Sequence, residues 1–245
     1  MRNWTKGFLV IVLSCCTTLA LAAGEPSASG AKVNTPQEDF EIADKADKDD
    51  DMIKANTYYR KAAEAGHPEA QARMGHIMYR AGSTFIAYSY FKKAAEQGNI
   101  EGMYGLGYMT QGGEGDAKQD FTEARKWYEA AAAKGHSKSI QALADGCVGP
   151  NKGQIMKAGS QAKAEKLLEN YATICGPDPL PVLKRAADTN HVPALVALAE
   201  SLRTGKLHKY TIPVDNALAD EYEKKLFAVL GGDPKKQKKK RRDAR

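Results

Sequence analysis

The sequence predicts an all-α fold, a right-handed α-solenoid of antiparallel helix pairs, because one phrase recurs three times along the chain. It reads TYYRKAAEAGH from Thr57, SYFKKAAEQGN from Ser89 and KWYEAAAAKGH from Lys126. Its closing glycines are Gly66, Gly98 and Gly135, which lie 32 and 37 residues apart. Helical units that recur every ~30–40 residues are typical of a solenoid. An apolar fraction of 42% with frequent alanine agrees with closely packed helices.

Each phrase contains the signals for one helix and for its end. An aspartate is predicted to cap the start of this helix by accepting hydrogen bonds from free backbone amides. The capping residues are Asp51, Asp120 and Asp215. The closing glycine is predicted to end the helix in the left-handed conformation, and Asn190 takes its place in a weaker copy that begins at Val182. A second helix is predicted after each stop, around the large apolar residues Met74, Leu106, Leu143 and Leu198.

The segment GLGYMTQGGEGDAKQDFTEARKWYEAAAAKG, from Gly105 to Gly135, resembles the Sel1-like repeat, a relative of the tetratricopeptide repeat. The sequence pattern of the Sel1-like repeat combines A-x-x-x-L-G, a tyrosine, a glycine-rich loop and D-x-x-x-A-x-x-W-Y-x-x-A-A-x-x-G. The resemblance implies a solenoid that holds proteins together, often in the bacterial cell envelope. It is weakest from Cys147 to Pro181, where a helix is predicted from Ser160 to Ile174. This helix is either a degenerate repeat member or an insertion.

The first 22 residues have the composition of a secretory signal peptide. A basic start with Arg2 and Lys6 precedes the apolar run FLVIVLSCCTTLALA, and small residues at Ala20 and Ala22 fit a cleavage site. The sequence therefore predicts a periplasmic or secreted protein. A lipoprotein signal with acylated Cys15 is the alternative.

Removal of such a signal would leave two of the four cysteines, Cys147 and Cys175. Two thiols in an oxidising compartment usually pair, so the sequence predicts a disulfide between them. Two unpaired buried cysteines are the alternative.

Charge is concentrated near the two ends of the chain. Residues 38–51 hold eight acids and two lysines, and residues 235–245 hold eight bases and one acid. The predicted domains are therefore a flexible acidic linker at 23–50, the solenoid at 51–230 and a basic disordered tail at 231–245. The tail is predicted to bind a polyanion, such as an anionic lipid or envelope polymer, or to act only as a solubilising arm. Export argues against nucleic acid as a target. The predicted polyanion-binding residues of the tail are Lys235, Lys236, Lys238, Lys239, Lys240, Arg241 and Arg242.

A binding groove is predicted from helix geometry. If Leu106 and Gly107 face the neighbouring helix, the residues two before, two after and five after that leucine share the opposite face. The resemblance implies that this face lines a concave groove that binds a protein partner. The predicted partner-binding residues are His76, Tyr79, Tyr104, Tyr108, Gln141, Asp145, Glu200 and Arg203. Tyrosines suit such a surface, although they could instead fill the seam between helix pairs.

Catalysis is the rival interpretation, because some secreted relatives are described as β-lactamases. Ser160 and Lys163 form an S-x-x-K element, and Arg203-Thr204-Gly205 is close to K-T-G. No S-D-N element accompanies them, so the sequence predicts no catalytic residues and no cofactor. His67, His136 and His191 each follow a helix stop, which predicts a role in the turn and no metal site.

Overall fold

The computed structural model describes residues 33–150 and 152–232, and helices dominate this part of the chain. The helices are α1 (Pro36–Lys48), α2 (Met52–Glu64), α3 (Pro68–Arg80), α4 (Thr84–Glu96), α5 (Ile100–Gly112), α6 (Phe121–Ala133), α7 (Ser137–Val148), α8 (Lys152–Lys157), α9 (Gln161–Cys175), α10 (Pro179–Asp188), α11 (Val192–Thr204) and α12 (Asn216–Val229). Two short antiparallel strands, β1 (Lys206–Leu207) and β2 (Tyr210–Thr211), lie between α11 and α12.

The helices form antiparallel pairs that stack in sequence. Helix α1 packs against α2, α3 against α4, α5 against α6 and α11 against α12. Each pair contacts the next, since α2 packs on α3, α4 on α5 and α6 on α7. The predicted all-α solenoid of helix pairs is confirmed, while its right-handed sense stays a prediction. The two-residue strands were not predicted.

The predicted capping residues are confirmed as helix starts. Asp51 accepts a hydrogen bond from the amide of Lys54, Asp120 from the amides of Thr122 and Glu123, and Asp215 from the amide of Leu218. The stops are confirmed as well. The backbone φ angle is +93° at Gly66, +80° at Gly98, +88° at Gly135 and +61° at Asn190.

Small residues let the helices approach closely. The paired alanines of α2, α4, α6 and α10 are all buried: Ala62, Ala63, Ala94, Ala95, Ala131, Ala132, Ala186 and Ala187. The ring of Phe91 fills a notch between Gly75 of α3 and Gly105 of α5. A Cβ atom at Gly75 would lie 2.7 Å from this ring, and one at Gly105 would lie 2.4 Å from it. Close packing of the second and third pairs therefore depends on these two glycines.

Residues 36–48 correct the prediction of a flexible linker at 23–50. Thr35 and Glu38 form a capping box: the backbone amide of Thr35 donates to the Glu38 carboxylate, and the amide of Glu38 donates to the Thr35 hydroxyl. Ala43 and Ala46 are buried. This segment is therefore helix α1, the first member of the first pair, and the linker prediction is wrong here because charge content does not prevent a capped amphipathic helix. Residues 23–32 and the predicted signal peptide at 1–22 lie outside the described residues.

The irregular region after α7 contains an insertion. Helix α9 confirms the helix predicted there, with Ser160 as its N-cap, and it packs against α6 and α7. Helix α10 takes the second place of the fourth pair, because it carries the paired alanines and contacts both α7 and α11. The predicted disulfide is present: Cys147 and Cys175 are bonded, with 4.5 Å between their Cα atoms, and connect the C-terminal ends of α7 and α9.

Candidate functional site

Two adjoining clefts run along α3, α5 and α7. The first has a volume of about 480 Å³ and lies between α1, α2, α3 and α5. The second has a volume of about 290 Å³ and lies between α5, α6, α7 and α9. Lys138 lines both clefts. We call the continuous surface that they form the groove.

Glu101 links three helices at the junction of the groove. The imidazole Nε2 of His76 in α3 lies 3.3 Å from its carboxylate, and Nε2 of His136 at the start of α7 lies 3.1 Å away. The ammonium of Lys138 lies 3.9 Å from the same carboxylate. Burial alone would raise the pKa of Glu101, but Lys138, His136 and His76 together hold the pKa below its ordinary value. Glu101 is therefore ionised at neutral pH and joins successive repeats.

Sequence reasoning missed Glu101 and Lys138. Both stand two residues after a helix N-cap, as does Glu69 in the preceding repeat. A charged residue recurs at this position in successive repeats, and that recurrence is the signal from which both residues could have been predicted. His136 does have its predicted role in the turn, since its Nδ1 accepts from the amide of Ser139, but its Nε2 also contacts Glu101 of α5 in the preceding repeat.

Acidification from pH 7 to pH 5 is expected to destabilise the protein through His76. Burial lowers the pKa of His76, an effect that exceeds the opposing attraction of Glu101. The unfolded chain then binds a proton at this ring more readily than the folded protein does, so stability is lost as the pH falls below about 6.5. Lys138 and Arg73 also disfavour the charged ring. Thermal unfolding of the wild type and of His76→Gln at both pH values measures this, with a smaller loss expected in the variant. An equal loss of stability in both proteins would contradict the assignment of this pH dependence to His76.

The three predicted tyrosines do lie together. The rings of Tyr79 and Tyr108 meet edge to face with centroids 5.7 Å apart, and the centroids of Tyr104 and Tyr108 are 6.5 Å apart. The Tyr79 hydroxyl lies 3.5 Å from that of Tyr108 and 3.4 Å from a carboxylate oxygen of Glu114. The bond to Tyr108 is the main reason that the pKa of Tyr79 is raised. These contacts restrict the rings, so binding would cost these side chains little conformational entropy.

The tyrosines differ in exposure. Tyr108 is 44% exposed. Tyr104 is half-buried, with its ring centroid 5.9 Å from that of the core residue Tyr128, and burial raises its pKa. Tyr108 is thus the most exposed of the three rings, and Tyr104 packs beside it in the seam between repeats.

Gln141 and Asp145 complete the second cleft with Tyr104 and Tyr108. A carboxylate oxygen of Asp145 lies 3.3 Å from Nε2 of His191. Burial raises the pKa of Asp145, and His191 partly offsets that rise. Aromatic rings, an amide and a carboxylate here give a surface for polar and apolar contacts at once.

Glu200 and Arg203 are separate from this group. Neither side chain lines either cleft. The guanidinium of Arg203 instead donates to the carboxylates of Asp220 and Glu223 on α12. Its role in the described structure is to join the two helices of the last pair.

Ser160 and Lys163, the S-x-x-K residues of the rival catalytic interpretation, are exposed. The Ser160 hydroxyl oxygen accepts from the backbone amide of Lys163, which is the bond of a helix cap. The described residues contain no group of three or more His, Cys, Asp or Glu side chains that could hold a metal ion. In the same part of the chain, no helix combines the length and the apolar composition needed to cross a membrane. The basic residues from Lys235 to Arg242 lie outside it.

Comparison with known proteins agrees with the geometry. The Sel1 repeat family model matches residues 46–67, 68–99 and 100–136. A Sel1 repeat protein from Oxalobacter formigenes has a similar crystal structure, with a TM-score of 0.51 and 20% identity over 78% of this chain and 70% of that one.

A second match is c5321, a protective antigen from uropathogenic Escherichia coli with an SLR fold, at a TM-score of 0.41 and 20% identity over 81% of this chain and 54% of that one. No curated protein matches the chain. Residues 46–136 are thus three Sel1 repeats, which begin within α1 and end at the start of α7.

Proposed function

We propose that the protein is an exported, non-catalytic adapter of the bacterial cell envelope, which binds a protein partner in the groove. Sel1 repeats typically serve as protein-interaction modules, and the stacked helix pairs supply such a scaffold. The observation that carries the proposal is the exposed ring of Tyr108, held by Tyr79 and Tyr104 where the second cleft opens. Rigid, partly exposed aromatic residues are common centres of binding energy in protein interfaces.

Two observations support export. The bond between Cys147 and Cys175 is typical of proteins in an oxidising compartment. Residues 1–22 have the composition of a signal peptide. These observations, together with the usual setting of the repeat family, support an envelope location.

The groove is tested by capture of binding proteins from an envelope extract. The double variant Tyr108→Ala/Gln141→Ala is expected to weaken retention of the partner at least about tenfold, since removal of one central interface aromatic costs ~2 kcal/mol or more. Its thermal stability should stay close to that of the wild type because both side chains face the cleft. Phe85→Ala is the matched control: Phe85 is 63% exposed and lies outside both clefts.

A chain truncated after Pro234 separates this proposal from its alternative, tethering through the basic tail. The groove proposal expects the truncated chain to keep its partner. A partner lost with the tail, or one retained equally by the double variant, would refute it. The tethering alternative also expects high salt to release the protein from membranes.

A further inference from the structure

A third cleft lies where the chain departs from the repeat pattern. The end of α7, one face of α9 and the β1–β2 hairpin enclose about 480 Å³. This volume is within the range of small-molecule sites in proteins, ~300–1,000 Å³. We call this cleft the hairpin pocket.

Its walls are mainly apolar and are held in place. Leu168, Tyr171 and Ala172 of α9 face the hairpin residue Tyr210 across the pocket, and the disulfide at Cys147 lies at its side. The Tyr210 hydroxyl donates to the carbonyl of Gly176 at 2.6 Å. The hairpin is thereby tied to the end of α9, and the walls do not depend on a ligand.

A second tie comes from the hairpin turn. Nε2 of His208 donates to the carbonyl of Val148 at 2.7 Å, which fixes the turn against the end of α7. With Nε2 of His208 and the Tyr210 hydroxyl already engaged, the mainly apolar lining favours an apolar body.

The rim of the pocket carries more positive than negative charge. Lys209 has no acidic partner within ion-pair distance among the described residues; its ammonium lies 5.5 Å from the centre of the Tyr210 ring. The carboxylate of Glu169, on the lining, is paired with Lys166 at 2.8 Å and attracts Lys209 from a longer distance. An apolar cavity beside two lysines that share one carboxylate complements a molecule with an apolar body and one anionic group.

We propose that the hairpin pocket binds a small amphipathic carboxylate, with its apolar chain between α9 and the hairpin and its carboxylate at Lys209. This site adjoins the groove, with which it shares the lining residues Gly146 and Tyr171, but it does not depend on the proposed adapter function.

Octanoate and octan-1-ol test the charge, because they share one alkyl chain and differ in the head group. Calorimetric titration of the wild type is expected to show octanoate binding about fivefold tighter than octan-1-ol, the usual strength of a partly exposed ion pair. Lys209→Gln should remove this preference and leave the affinity for octan-1-ol unchanged. A preference that survives Lys209→Gln would overturn the assignment of the carboxylate.

The pocket itself is tested by filling it. Ala172→Trp is expected to abolish binding of both compounds, whereas Ala162→Trp, at an exposed position of the same helix outside the lining, should bind like the wild type. Should Ala172→Trp misfold, Leu168→Ala takes its place and should weaken both compounds about threefold or more, since it removes exposed apolar wall. Undiminished binding to folded Ala172→Trp or, in its place, to Leu168→Ala would refute the proposal. So would the absence of binding of either compound to the wild type.

Discussion

Breaking the disulfide between Cys147 and Cys175 is expected to lower the free energy of unfolding by about 3.5 kcal/mol. The two cysteines are 28 residues apart in sequence, and closing a loop of this size removes conformational freedom from the unfolded chain. Urea unfolding of the oxidised protein, with and without reductant, measures the difference.

The double variant Cys147→Ala/Cys175→Ala is the control for this measurement. It should unfold at the urea concentration of the reduced wild type and should not respond to reductant. A midpoint that is the same for oxidised and reduced wild type would show that the cross-link adds nothing to the packing of α9.

Phe91→Ala is expected to cost about 3–5 kcal/mol of stability, the usual range for a buried aromatic residue. The ring is 2% exposed and fills the notch between Gly75 and Gly105. Truncation therefore leaves a cavity that the two glycines cannot fill. Thermal and urea unfolding of the variant give the loss.

Phe85→Ala provides the comparison on the same helix. Phe85 is 63% exposed, so its truncation should change stability by less than about 0.5 kcal/mol. Similar losses at both positions would mean that Phe91 does not hold the second and third pairs together.

The repeat architecture was predictable because each repeat contains the residues that begin and end its own helices. Asp120 caps a helix and Gly135 ends it through contacts within a few residues, which a single sequence shows directly. Helix α1 was missed for the opposite reason: its many acids suggested a solvated linker, although Thr35, Pro36 and Glu38 already had the pattern of a helix start. The hairpin was missed because two-residue strands leave no periodic signal.

The site was predictable only in part. Helix periodicity placed Tyr79, Tyr104 and Tyr108 on one face, and they do lie together. It could not show that Glu101 would join His76 to His136, since that contact depends on how successive pairs stack. For the same reason it could not show that Arg203 would turn to the acids of α12.

The insertion between α7 and α10 has a consequence for how such a chain can change over time. Its ends at Cys147 and Cys175 bring the backbone back to within 4.5 Å of its departure point. The array can therefore accept, lengthen or lose this segment without shifting the register of the pairs on either side. Tyr171, which lines both the groove and the hairpin pocket, lies within the exchangeable segment. New binding sites can thus arise in the insertion while the repeats keep the fold.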